Sequence, residues 1–87
     1  MNTLFLLMAE YGTAQIPLVR CASMFGMTPE EAAKRASRAA LPIPAYRVGS
    51  QKSPWLVDAA LLAAFLDERK KQATTDWRRV NATGSAT

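Results

Sequence analysis

The 87-residue sequence has no histidine and a single cysteine, Cys21. Without imidazole a zinc site loses its commonest nitrogen ligand and serine–histidine hydrolysis is excluded; with one thiol no internal disulfide can form. Cys21 stands in an apolar segment, where a thiol serves as a small core residue rather than a nucleophile. No convergent acid, base and nucleophile set is visible, so neither an enzyme nor a cofactor is expected. Long apolar runs are missing too. The opening MNTLFLLMAEY has no basic n-region, and its apolar run from Leu4 to Met8 is cut short before Glu10, unlike a secretion signal. Nothing approaches the ~20 apolar residues of a membrane span. The expected location is the cytoplasm.

Positive charge is what the chain has in surplus. Eleven Lys and Arg face seven Asp and Glu, and the surplus is uneven: four basic and three acidic residues precede Arg47, while seven and four follow from Arg47 onward. A sequence pI near 9.7 suits a polyanionic partner, because neutralised phosphates release counterions. At this length only about 60% of the unfolded surface can be buried. One small domain without a large pocket is therefore expected.

Asn2 or Thr3 can cap a first helix that ends at Gly12, with Leu4, Leu7, Met8 and Tyr11 along one stripe. Phe5 and Leu6 fall off that stripe; they are read as packing against a second neighbour, with a partner surface as the alternative. Pro17 opens a second helix carrying Leu18, Cys21, Ala22 and Phe25 on one face, and Gly26 stops it. The strongest helix start is Thr28-Pro29-Glu30-Glu31, in which Thr28 is the cap, Pro29 the first helical residue and Glu31 the reciprocal member of a capping box. That third helix runs to about Ala40, turns Ala32, Ala33, Ala36 and Ala40 inward, and meets the breaker Leu41-Pro42-Ile43-Pro44.

Two helices of this length joined through Gly26-Met27-Thr28 form a helix-turn-helix. Ala45 to Val48 and Trp55 to Val57 then read as the strands of a hairpin, with Tyr46, Val48, Trp55 and Val57 turned inward and Gly49 to Ser53 as the connection. Asp58 caps a last helix with the stripe Leu61, Leu62, Phe65 and Leu66. Near its end Asp67 can pair with Lys71. The fold class is mainly α with a small β-hairpin: a compact winged helix-turn-helix, in the order helix, helix-turn-helix, two-stranded wing, closing helix. Residues 1–72 make that domain, and 73–87 are expected as a polar C-terminal tail, at least partly disordered.

This arrangement nominates double-stranded DNA as partner. On the third helix Thr28 and Glu30 lie at the leading end; Glu30 can accept from a cytosine amino group, and Lys34 or Arg38 can donate to guanine. Arg35 and Ser37 are assigned to phosphates. In the wing, Arg47 projects opposite to Tyr46 and Val48, and Ser50, Gln51, Lys52 and Ser53 form a polar tip within reach of a backbone or minor groove. Phe5, Leu6, Trp77, Arg78 and Arg79 are candidate protein contacts.

The stretches MNTLFLLMAEYGTAQIPL, LPIPAYRVG and SPWLVDAALLAAFLDE, in this order, resemble the pyocin activator protein PrtN family over roughly residues 1 to 81. The resemblance implies a DNA-binding transcriptional activator of phage-tail-like bacteriocin genes in bacteria of the Pseudomonas type, a protein that sits on the nucleoid when bound. The same LP-x-PAYRVG grammar is similar to excisionase and MerR-like DNA-binding domains. Two alternatives stand beside activation. One is a prophage excisionase that bends DNA and self-associates on tandem sites beside an integrase; the other is an adaptor or anti-repressor that keeps the winged scaffold. RNA polymerase is the partner an activator would touch.

Overall fold

The computed structural model describes residues 2–50 and 52–85. Asn2 caps α1 (Thr3–Tyr11) by accepting the Phe5 amide at 2.7 Å, and Gly12 ends it in the left-handed conformation at φ 72°. An unpaired first-turn amide and a last-turn carbonyl are thereby satisfied by local chemistry.

Pro17 does not open a helix. It closes a short strand, β1 (Gln15–Pro17), that the sequence reading lacked. The backbone at Pro17 is extended, with φ −57° and ψ 130°; proline's fixed φ suits an edge strand as well as a helix start, and an edge position leaves its missing N–H without consequence. The first helix of the helix-turn-helix is accordingly shorter than expected. It is α2 (Leu18–Cys21) followed by a 3-10 turn, Ala22–Phe25, and Gly26 at φ 73°. Leu18, Cys21 and Ala22 are buried as the periodicity requires.

α3 (Pro29–Ser37) starts where the sequence places it, with Thr28 Oγ1 accepting the Glu31 amide at 3.2 Å. Only half of the capping box forms, because the Glu31 carboxylate turns to the Arg35 guanidinium at 2.9 Å. The helix ends earlier than Ala40. Ala39 adopts φ 54°, the Ala40 amide returns to the Arg35 carbonyl at 2.8 Å and the Ala39 amide to that of Ala36 at 3.1 Å. This is a Schellman closure with alanine where glycine is usual. Ala32 and Ala36 are buried against α2, while Ala40 is exposed beyond the end.

The wing is part of a three-stranded antiparallel sheet. Its order is β1, β3 (Leu56–Asp58), β2 (Ala45–Tyr46). Val57 on the middle strand stands opposite Ile16 on one side and Ala45 on the other, and Ile16 and Val57 are fully buried. Because Ala45 takes the inward position, Tyr46 pairs with Leu56 on the outer face. The expected inward placement of Tyr46 and Val48 is therefore corrected: Val48 is 77% exposed and Tyr46 39%. A one-residue shift of register exchanges the two faces of a strand, and two paired residues are too few for alternation to reveal which holds. Trp55 packs against the core and Val57 lies within it.

Asp58 caps α4 (Ala59–Ser85), its Oδ2 accepting the amides of Ala60 at 3.1 Å and Leu61 at 3.3 Å. Leu62 is buried and Phe65 and Leu66 pack on the core, but Leu61 points outward. Twenty-seven residues make a helix of ~40 Å, which gives the molecule its 59 Å long dimension. Of residues 73–87, expected as a polar and at least partly disordered tail, 73–85 continue this helix. α1 lies against α4, where the Thr3 hydroxyl donates to Asp67 in place of the expected Lys71 pair. Leu7 is buried there, whereas Phe5 and Leu6 are exposed and take no part in the core.

A left-handed conformation costs a residue bearing Cβ roughly 1–2 kcal/mol, and glycine returns part of that through its looser unfolded state. Ala39→Gly should stabilise the fold by about 0.5–1 kcal/mol and raise Tm by a few degrees in a thermal melt.

Candidate nucleic-acid interface

At 3.6 residues per turn, Lys34 stands on the side of α3 opposite Ala32 and Ala36. With those alanines buried, Lys34 is exposed, and Glu30, Ser37 and Arg38 flank it on the same exposed surface. The small inner side chains let α3 seat closely on α2, which holds its outer face at a fixed height above the body. Thr28 is exposed, but its hydroxyl oxygen already caps the helix. Arg35 leans along the helix to Glu31 and is half-buried. The Ser37 hydroxyl donates to the Lys34 carbonyl at 2.7 Å. Of the expected base and phosphate contacts, Glu30, Lys34 and Arg38 therefore share one open face, while Arg35 and Ser37 are engaged within the helix.

The wing tip is a tight turn. The Ser53 amide donates to the Ser50 carbonyl at 2.9 Å and the Lys52 amide to Ser50 Oγ at 3.3 Å, an arrangement that reverses the chain and leaves the Lys52 side chain exposed. Gln51 lies outside the described residues. Arg47 is not at the tip. Its guanidinium lies 4.4 Å over the Trp55 ring and its Nε is buried without a hydrogen-bond partner. It follows directly on β2, and its stack with Trp55 fastens the root of the wing to the body. On the outer face the Tyr46 hydroxyl donates to Gln15, and Gln15 Nε2 donates to Asp58 at 2.9 Å, tying all three strands to the capping residue of α4.

The family model described as Pyocin activator protein PrtN matches residues 3–73. The chain belongs to the pyocin activator PrtN family. That match spans α1, the helix-turn-helix, the sheet and the first half of α4. No curated protein and no solved structure matches the chain. The family is one of activators, a regulatory role and not a catalytic one.

Burial pushes the Cys21 thiol up from its usual range, so it stays protonated and unreactive at neutral pH. The Tyr11 hydroxyl is also held up, chiefly by burial and then by Cys21 and Glu10, against a smaller opposing effect of Arg20. Among the described residues no three His, Cys, Asp or Glu side chains come together as a metal site, and no helix is long and apolar enough to cross a membrane. The candidate protein contacts fall in two places: Phe5 and Leu6 on α1, and Trp77, Arg78 and Arg79 on the far half of α4. Trp77 is 64% exposed and does not fold back on the body.

Sequence reasoning missed Gln15 as the link between strands and Arg20, whose guanidinium sits 5.1 Å over the Tyr11 ring. Both contacts join separate elements, and no local spacing announces them. A cation over an aromatic face contributes about 0.5–1 kcal/mol at partly exposed sites, and an exposed residue with no partner contributes little. Arg47→Ala should lower stability by about 1 kcal/mol in urea unfolding, whereas Lys34→Ala should change it by less than about 0.5 kcal/mol.

Proposed function

We propose that this chain binds double-stranded DNA through the outer face of α3 and the wing tip, and activates transcription of phage-tail-like bacteriocin or prophage genes. The observation that carries the reading is the exposed placement of Lys34 and Arg38 opposite the buried Ala32 and Ala36. The family supplies the regulatory half of the reading. Residues 1–72 are the DNA-binding unit, and it works in the cytoplasm on the nucleoid.

In this reading α3 enters the major groove with Thr28 and Glu30 leading. Lys34 and Arg38 donate to guanine edges or to the phosphates beside them, and Glu30 accepts from a cytosine amino group. Ser50, Gln51, Lys52 and Ser53 reach the neighbouring backbone. Arg35 and Ser37 approach phosphates from the sides of the helix, and Arg47 sets the angle of the wing through Trp55 as well as adding positive charge. Recruitment of RNA polymerase falls to the exposed Phe5 and Leu6 of α1, which face away from the core.

Gel shifts with the control region of the regulated genes test the assignment. Lys34→Ala or Arg38→Ala should each cost about 1 to 3 kcal/mol of affinity at a base-reading position, while Lys52→Ala should weaken specific and unrelated DNA alike and reduce the salt slope by about one. Wild-type affinity in the two α3 variants would remove α3 as the reading helix. In a reconstituted system the transcript should rise with added protein; excision of an attachment-site substrate without any rise in transcript would assign the chain to recombination instead.

A further inference from the structure

The inner stripe of α4 does not stop where the body stops. Ala59, Leu62 and Ala63 are buried and Leu66 packs on the core. At the same helical phase the stripe continues through Arg69, Ala73, Trp77 and Val80, the last two 64% and 69% exposed. Spacings of three and four residues put Leu66, Arg69, Ala73, Trp77 and Val80 on one side, with a mean repeat of 3.5 residues, the repeat of helices that pair with helices. On the far half of α4, Trp77 and Val80 therefore stand exposed on the face that nearer the body is packed.

We infer that a second copy of this chain covers it, as an antiparallel pair of α4 helices with the two-fold axis near Ala73. The choice of occupant rests on complementarity of charge and shape within the helix itself. Pairing about Ala73 sets Leu66 of one copy against Val80 of the other. On one edge it brings Arg69 beside Asp76 of the partner, whose Oδ1 takes Gln72 at 3.1 Å and Arg79 at 3.4 Å in its own helix and leaves Oδ2 to the incoming guanidinium, and on the other it brings Lys70 against the partner's Trp77 ring, an opposite-charge pair and a cation over an aromatic face. Alanine at the axis lets the two backbones approach. Beside Leu66 an open hollow of about 380 Å³, lined by Met24, Phe25, Phe65, Leu66 and Arg69, receives Val80 of the other copy. A parallel pairing would instead set Leu66 against Leu66 and Val80 against Val80, part Arg69 from Asp76 onto opposite edges, and leave the hollow empty. Since residue i meets residue j and j meets i, the contact is isologous and closes at two copies.

The contact runs from Leu66 to Val80, about 21 Å of helix. It belongs with the small interfaces of weak, reversible complexes. The pairing is separate from DNA binding and is tested on the full chain without DNA. Sedimentation equilibrium should show a monomer–dimer equilibrium, and Trp77→Ala should weaken it at least about tenfold, a loss of 1.4 kcal/mol, with unchanged far-UV circular dichroism per body. Arg69→Asp and Asp76→Arg should each weaken association, and the double exchange should restore it. A chain that stays monomeric at about 1 mM, the weak end of specific association, would overturn the proposal. So would dimers untouched by Trp77→Ala but lost on Phe5→Ser, or charge exchanges that fail to rescue one another.

Discussion

Everything in this fold turns on the middle strand. Three residues, Leu56 to Asp58, pair with β1 on one edge and β2 on the other, and Val57 carries the inward side of both pairings. Asp58 follows at once as the cap of α4 and as the acceptor for Gln15. One short segment thus connects the chain before the helix-turn-helix, the wing after it and the long closing helix. A strand of this length could not hold alone; its stability comes from Ile16, Leu18, Leu62 and Val57 being buried together in one core.

That connection divides the surface by task. α3 rests on its alanines and shows charge outward, the wing projects Lys52 from a closed turn, and Arg47 serves the wing's root from within. The core beneath these surfaces is apolar: no buried polar or charged residue appears among the described residues. The far half of α4 is a third surface, opposite in character, where apolar side chains and alternating charge stand together on one helix.

How much of this was legible in the sequence follows physical lines. Caps were readable because they are local: Thr28, Gly26, Gly12 and Asp58 act within one turn of where they stand. The inner face of α3 was readable at Ala32 and Ala36, where alanines keep helical spacing, but not at Ala40, which lies exposed beyond the helix end. β1 was not, since Gln15-Ile16-Pro17 is too short for alternation and proline suited either state. The inward set of the wing was half right, Trp55 and Val57 but not Tyr46 and Val48, because register is decided by the partner strand. Arg47 reads as a free cation in sequence and is half-buried only through a non-local aromatic ring. The length of α4 escaped for a related reason: Thr74 and Thr75 have weak helix propensity, yet the helix propagates through them from the packed half.

The central claim is that α3 and the wing tip form the DNA surface. An amide chemical-shift titration of the labelled chain with its control-region duplex tests it most directly. The account predicts shifts concentrated at residues 28–38 and 50–53, with Lys34 and Arg38 among the largest and α1 nearly silent. Shifts confined to α1 and the far half of α4, or none at low salt, would contradict it.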